Sequence, residues 1–182
     1  MALDKDVRTL LTETKAGDKI TESADYQPVY HEMEKIAAAD SDNIQAVWLG
    51  DIDANVVTQS DGFTSDSSFE ITERTWYRAV ETNSTILTSA YVDASTGNLI
   101  LSAATPVYDE NGKNIIGVAG ADIALEHIDE LLSAYKIGNN GFVILVTSDG
   151  TIIYHPNSDN QLKNLSELNV SDSVMKAIQS QN

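Results

Sequence analysis

Three strand-like runs in close succession constrain this chain more than any other feature. From Thr85 they read TILTSAYVD, NLILSAATPVY and IIGVAGADI, joined by a Ser-Thr-Gly turn and by DENGK. The Asn-Gly pair in the second connection is among the stronger hairpin signals, because a tight two-residue turn needs positive φ at its centre. Gly117 and Gly120, in the third run, point to close backbone approach or a bulge.

The flanks follow a different period. Residues 1–45 are expected to be helical: Val7, Leu10 and Leu11 share a face with Leu3, and Tyr26, Tyr30, Met33, Ile36 and Ala37 repeat the spacing. Gly17-Asp18 weakens or interrupts the helix between them. AVWLGDIDANVV (46–57) is a strand-like run with a turn inside it, TQSDGFTSDSSFE (58–70) has loop composition, and Arg74 to Glu81 fits one or two helical turns. After the third strand, ALEHIDELLSAYKIG predicts a helix stopped by Gly138. GFVILVTSDGTIIYHPN is a further hairpin, and LSELNVSDSVMKAIQSQN reads as loop then helix. The fold class expected is α+β, with a helical segment over 1–45, a sheet unit over 46–122, a linking helix over 123–140 and an incomplete second unit over 141–182. Two strands alone rarely make a stable sheet, so the last unit is expected to dock or to pair with another chain.

Charge narrows the function. The chain has 28 acidic and 11 basic residues in 182, a net of -17, which argues against nucleic acid and anionic lipid as partners. There is no cysteine, hence no disulfide, thiol chemistry or cysteine-held metal. No apolar run is long enough to span a bilayer and MALDKDV is no signal peptide. A membrane-bound parent would therefore have been cut free of its anchors. DIDAN (51–55) opens like a calcium loop, but Val56 stands where glycine is wanted and Gly62 where glutamate is wanted. His31, His127 and His155 lack ligand spacing. No nucleophile elbow or phosphate loop is present, so neither metal, cofactor nor enzymatic activity is expected.

One stretch gathers several binding groups. In FEITERTWYRAV (69–80), Arg74 lies just ahead of Trp76 and Tyr77. Tyr91 and Asp93, two apart on the next strand, share a face, and Asp122 closes the third run. Neighbouring strands would collect a guanidinium, aromatic walls and carboxylates, which are the groups a zwitterion needs. Spacing alone equally allows Trp76 and Tyr77 to be core, with Arg74 paired to one of many nearby acids.

The order of elements resembles the double Cache sensor domains of bacterial chemoreceptors, sensor histidine kinases and cyclases. The likeness is carried by FEITERTWY, by SAYVDASTGNLILSAATPVYDENGKNIIGVAGADI and by GFVILVTSDGTIIYHPN, from about Ala46 to Asn157. It implies a long N-terminal helix, a membrane-distal PAS-like antiparallel sheet that binds ligand, and the start of a membrane-proximal PAS-like unit. It further implies an extracytoplasmic ectodomain of a membrane-anchored, homodimeric parent that binds a small metabolite, most often an amino acid. Residue by residue, the resemblance gives Arg74 and Trp76 the ligand carboxylate, lines the pocket with Tyr77, and gives Tyr91 and Asp122 the ammonium. Asp93 would be a further ligand or a support behind one. Phe69 stands where the pattern wants tyrosine, which removes a hydroxyl donor and leaves an amine, a small carboxylate or a purine as alternative ligands.

Overall fold

Two helices cover one face of the sheet because each carries a one-sided apolar stripe. The computed structural model describes residues 5–66, 68–93, 95–125, 132, 135, 137–138, 141–147, 150–168, 170–171, 173 and 176. Helix α1 (Lys5–Glu13) buries Val7, Leu10 and Leu11, and α2 (Tyr26–Ala39) buries Tyr26, Val29 and Met33. The helical segment is not continuous. At Gly17 the backbone turns through φ +93°, which glycine adopts without strain. Asp18 closes the turn by accepting the Lys15 N–H at 2.9 Å, and a 3-10 turn (Ile20–Glu22) leads into α2. The helical segment is thus interrupted where Gly17-Asp18 is expected to weaken it.

The sheet is antiparallel throughout. Strands β1 (Ile44–Asp51) and β2 (Val56–Gln59) form the hairpin that contains DIDAN. The Asp51 carboxylate accepts the Ala54 N–H at 3.0 Å, so this residue shapes the hairpin turn. Strands β3 (Ile86–Leu87) and β4 (Tyr91–Val92) both pair with β5 (Leu99–Tyr108), which pairs with β6 (Ile115–Ala124). The spatial order is β2-β1-β6-β5-β3, with β4 beside β3 on the same edge of β5. Pro106 is tolerated in β5 because its missing N–H falls beyond the reach of β3.

TILTSAYVD is not one strand. Leu87 faces Ala103 and Tyr91 faces Ile100, so four steps on one side match three on the other. The extra residue is a bulge. Thr88 fills the irregularity by donating its N–H to the Ser102 carbonyl and accepting the Ser102 N–H on its hydroxyl, both at 2.9 Å.

Alternation sorts the side chains into two cores. Val47, Leu49 and Ala119 meet the helices, while Trp48, Ala104 and Val118 meet Ile71, Trp76 and Ala79 on the opposite face. The segment over the second face comprises a 3-10 turn (Ile71–Glu73), another (Thr75–Tyr77) and the short helix α3 (Arg78–Glu81). Farther along, β7 (Leu145–Val146) and β8 (Ile152–Tyr154) form a separate two-stranded sheet. His155 follows β8 as a turn residue, its ring nitrogen accepting the Asn157 N–H at 2.9 Å. Most of the expected linking helix, with His127, and the expected final helix lie outside the described residues.

Met33 is fully buried between α2 and the sheet. Met33→Ala should therefore destabilise the chain by about 2–5 kcal/mol in urea unfolding, the cost of a large-to-small change that leaves a cavity.

Candidate functional site

The second face of the sheet does not close completely. Between it and the 69–76 segment lies a cavity of about 140 Å³, where one water would need roughly 10–15 Å³ of such space. It can hold a small metabolite. Phe69, Arg74, Trp76, Tyr91, Asp93 and Asp122 all line it. Tyr77 does not: its ring packs against the apolar cluster around Trp76 and Ile71. The difference in placement has a helical cause, since Trp76 and Tyr77 are consecutive in a 3-10 turn and consecutive side chains diverge by about a third of a turn.

Trp48 forms the floor. Its ring lies 4.6 Å from that of Trp76, at 42°, and it faces Gly120 across the β1–β6 ladder. A Cβ on Gly120 would collide with the indole, so glycine is what lets the ring lie against the strand. Held there, Trp48 Nε1 donates to Asp122 Oδ1 at 2.7 Å. The Ser102 hydroxyl, opposite Asp122 in the β5–β6 register, donates to the same oxygen at 2.6 Å. With Asp122 ionised, Ser102 has no second proton, so Tyr91 donates its phenol proton to Ser102 Oγ, 2.6 Å away. No hydrogen bond among the described residues reaches Asp122 Oδ2.

Asp93 is held at the other end of this row. Its Oδ2 accepts from Gln45 Nε2 at 3.1 Å, Ser95 Oγ at 2.6 Å, and Thr96 N and Oγ1 at 3.0 and 2.7 Å. Gln45 reaches it because β1 bulges between Ile44 and Ala46.

The two aspartates are tuned apart. Burial pushes the Asp122 carboxyl up to about 6, with Asp93 and Asp61 adding to the rise and the bonds from Ser102 and Trp48 opposing it. For Asp93 burial also acts upward, but the bonds from Ser95 and Thr96 outweigh it and hold the carboxyl below its ordinary value. Burial, reinforced by Asp122, raises the Tyr91 phenol.

Arg74 supplies the cation. Its guanidinium carbon sits 3.9 Å from the centre of the Phe69 ring, a cation–π contact for which a phenylalanine suffices without the tyrosine hydroxyl. Its Nε is buried without a hydrogen-bond partner among the described residues. Among the described residues no carboxylate lies within ion-pair distance of it, despite the 28 acids of the chain. The alternative in which Arg74 simply neutralises a neighbouring acid has no support in this geometry.

Sequence reasoning passed over Trp48, Ser102, Gln45 and Gln59. Only Trp48 carried a signal: its position between Val47 and Leu49 sets it on the face opposite theirs, where Gly120 leaves room.

A layered sheet with a pocket between its open face and a covering loop has the architecture of a small-molecule binding module. The Cache domain model of the double Cache type matches residues 5–181, and the chain belongs to this family. The methyl-accepting chemotaxis protein PscA of Pseudomonas syringae pv. tomato is 34% identical over 128 residues, which is 70% of this chain and 20% of that protein. The ligand-binding domain of the Pseudomonas fluorescens chemoreceptor CtaA in complex with L-valine aligns at TM-score 0.62 and 26% identity, covering 91% of this chain and 68% of that one. The ligand-binding domain of the Pseudomonas aeruginosa amino acid chemoreceptor PctC in complex with GABA aligns at 0.64 and 28%, covering 88% and 67%. The chain spans about a fifth of the length of the curated relatives it matches. No helix among the described residues is long and apolar enough to cross a membrane.

Because the folded pKa of Asp122 lies above its ordinary value of 3.8, the folded chain binds this proton more tightly than the unfolded one. Its contribution to stability is therefore lost as pH rises from about 4 to about 6. Asp122→Asn, which keeps an acceptor for Trp48 and Ser102, should be more stable than the parent at pH 7 by roughly 1–3 kcal/mol, with the gap closing by pH 4 in denaturant titrations.

Proposed function

We propose that the chain is the extracytoplasmic sensor portion of a membrane-anchored bacterial receptor and acts by binding a small zwitterionic metabolite, an amino acid, without turning it over. The observation that carries this reading is Arg74, poised over Phe69 with a buried Nε that has no hydrogen-bond partner among the described residues. A ligand carboxylate would complete it with charge-assisted hydrogen bonds. Asp122 Oδ2, Tyr91 and Asp93 would receive the ammonium, and Trp48 and Trp76 would exclude water. That the CtaA and PctC domains are bound to L-valine and to GABA supports the same ligand class. Within this reading residues 46–122 form the membrane-distal unit, residues 141–182 begin the proximal one, and the parent signals as a homodimer.

Binding can shift a receptor only through differential affinity for two states. Here the ligand would draw the 69–76 segment toward the sheet, since Arg74 and Trp76 sit on the segment while Asp122 and Tyr91 sit on strands. The helices α1 and α2 pack on the opposite face of the same strands and would carry the change onward.

Three outcomes test the reading by calorimetry. Arg74→Ala should weaken amino-acid binding at least tenfold, about 1.4 kcal/mol, and an unchanged affinity would rule the clamp out. Affinity should also fall as pH drops below about 6, because Asp122 must ionise to receive an ammonium. Asp93 and Asp61 act on it from the acidic side and Tyr91 lies beside it, while Arg74 acts on Tyr91. Binding near pH 6 should release protons, seen as a dependence of the heat on buffer ionisation enthalpy.

A further inference from the structure

Gln59 ends β2 and lines the same cavity from the side opposite Asp93. It is 7% exposed, and its side-chain Oε1 is buried without a hydrogen-bond partner among the described residues. Its backbone is accounted for, the N–H donating to the Phe63 carbonyl at 2.9 Å. Facing Trp48 in the β1–β2 register, Gln59 presents its side chain on the site face. A buried carboxamide with an orphan oxygen costs stability unless something completes it. Nothing among the described residues does so, while the cavity reaches it.

We propose that Gln59 reads the ligand's side chain, so that the pocket takes an α-amino acid whose side chain ends in a hydroxyl or carboxamide rather than a hydrocarbon or a second carboxylate. The inference rests on the amino-acid reading above. With the carboxylate at Arg74 and the ammonium at Asp122, the uncharged wall left for the side chain includes Val57, Phe63 and Gln59 together with Thr75, Val92 and Ser95, and of its polar members Gln59 is the one with a buried oxygen lacking a partner among the described residues. Val57 and Phe63 suit the methylene stem, and Gln59 suits a polar tip. A hydroxyl or carboxamide can both donate and accept, so it satisfies the Gln59 amide in either orientation. The strands bearing Asp122 and Gln59 lie two apart in the sheet, roughly 10 Å, which a short polar side chain with a hydrogen bond at each end of the ligand spans. A second carboxylate is disfavoured because Asp93, Asp122 and Glu73 already line the cavity against the single Arg74.

Isothermal titration of the 182-residue chain with L-asparagine against L-leucine, and with L-threonine against L-valine, compares near-isosteric pairs that differ in the polar tip. Asparagine and threonine should bind about tenfold or more tighter than their apolar counterparts. Gln59→Leu should abolish the preference by weakening the polar member of each pair while leaving the apolar member as tight or tighter. Gln59→Met serves if leucine disturbs folding. Equal affinities within each pair, or a preference that survives Gln59→Leu, would overturn the role of Gln59 while leaving the amino-acid reading intact. If a screen of the common α-amino acids finds none that binds, the amino-acid reading fails and this assignment falls with it.

Discussion

The hydrogen bond from the Trp48 indole to Asp122, made across Gly120, is the contact on which the rest of the site depends. It does two jobs at once. The indole fills the second core against Trp76, and its N–H joins the Ser102 hydroxyl in pairing a buried carboxylate. Such a carboxylate would otherwise be costly, and burial still holds its pKa near 6. Glycine at 120 is the enabling residue, since any Cβ there would meet the ring. Core packing and ligand chemistry are consequently inseparable on this face of the sheet.

Around that contact the site is electrostatically incomplete. Asp93 is saturated on one oxygen by Gln45, Ser95 and Thr96, Tyr91 is tied into a proton chain through Ser102, and Arg74 is stacked on Phe69 with no carboxylate of the described residues within ion-pair distance. Each group is held in place by the protein yet keeps unspent hydrogen-bonding capacity toward the cavity. Pre-organisation of this kind reduces the ordering cost that binding would otherwise incur.

Bulges aim the site. Ile86 packs into the second core, so strict alternation from it would send Tyr91 to the other face of the sheet. The extra residue between Leu87 and Tyr91 reverses that parity and brings the phenol to Ser102. On β1, the irregularity between Ile44 and Ala46 lets Gln45 reach Asp93. A one-residue shift exchanges the faces of a strand, and here two such shifts converge on one pocket.

Local chemistry was enough to determine several features from the sequence alone. The apolar stripes of the two helices, the β1–β2 and β5–β6 hairpins, the helical turns after Arg74 and the close approach at Gly120 all follow from residue spacing, glycine and turn signals. The same reading collected Arg74, Trp76, Tyr91, Asp93, Asp122 and Phe69, which line a common cavity. Tertiary structure alone decided that Tyr77 packs against the second core, that Phe69 supports the guanidinium, that Gln45 and Ser102 bond to Asp93 and Asp122, and that Gln59 lines the cavity. These outcomes depend on strand register, on bulges and on which face of the sheet each residue meets. Residues far apart in the chain set those features jointly: Trp48 and Asp122 are separated by 74 positions, and no local window contains both.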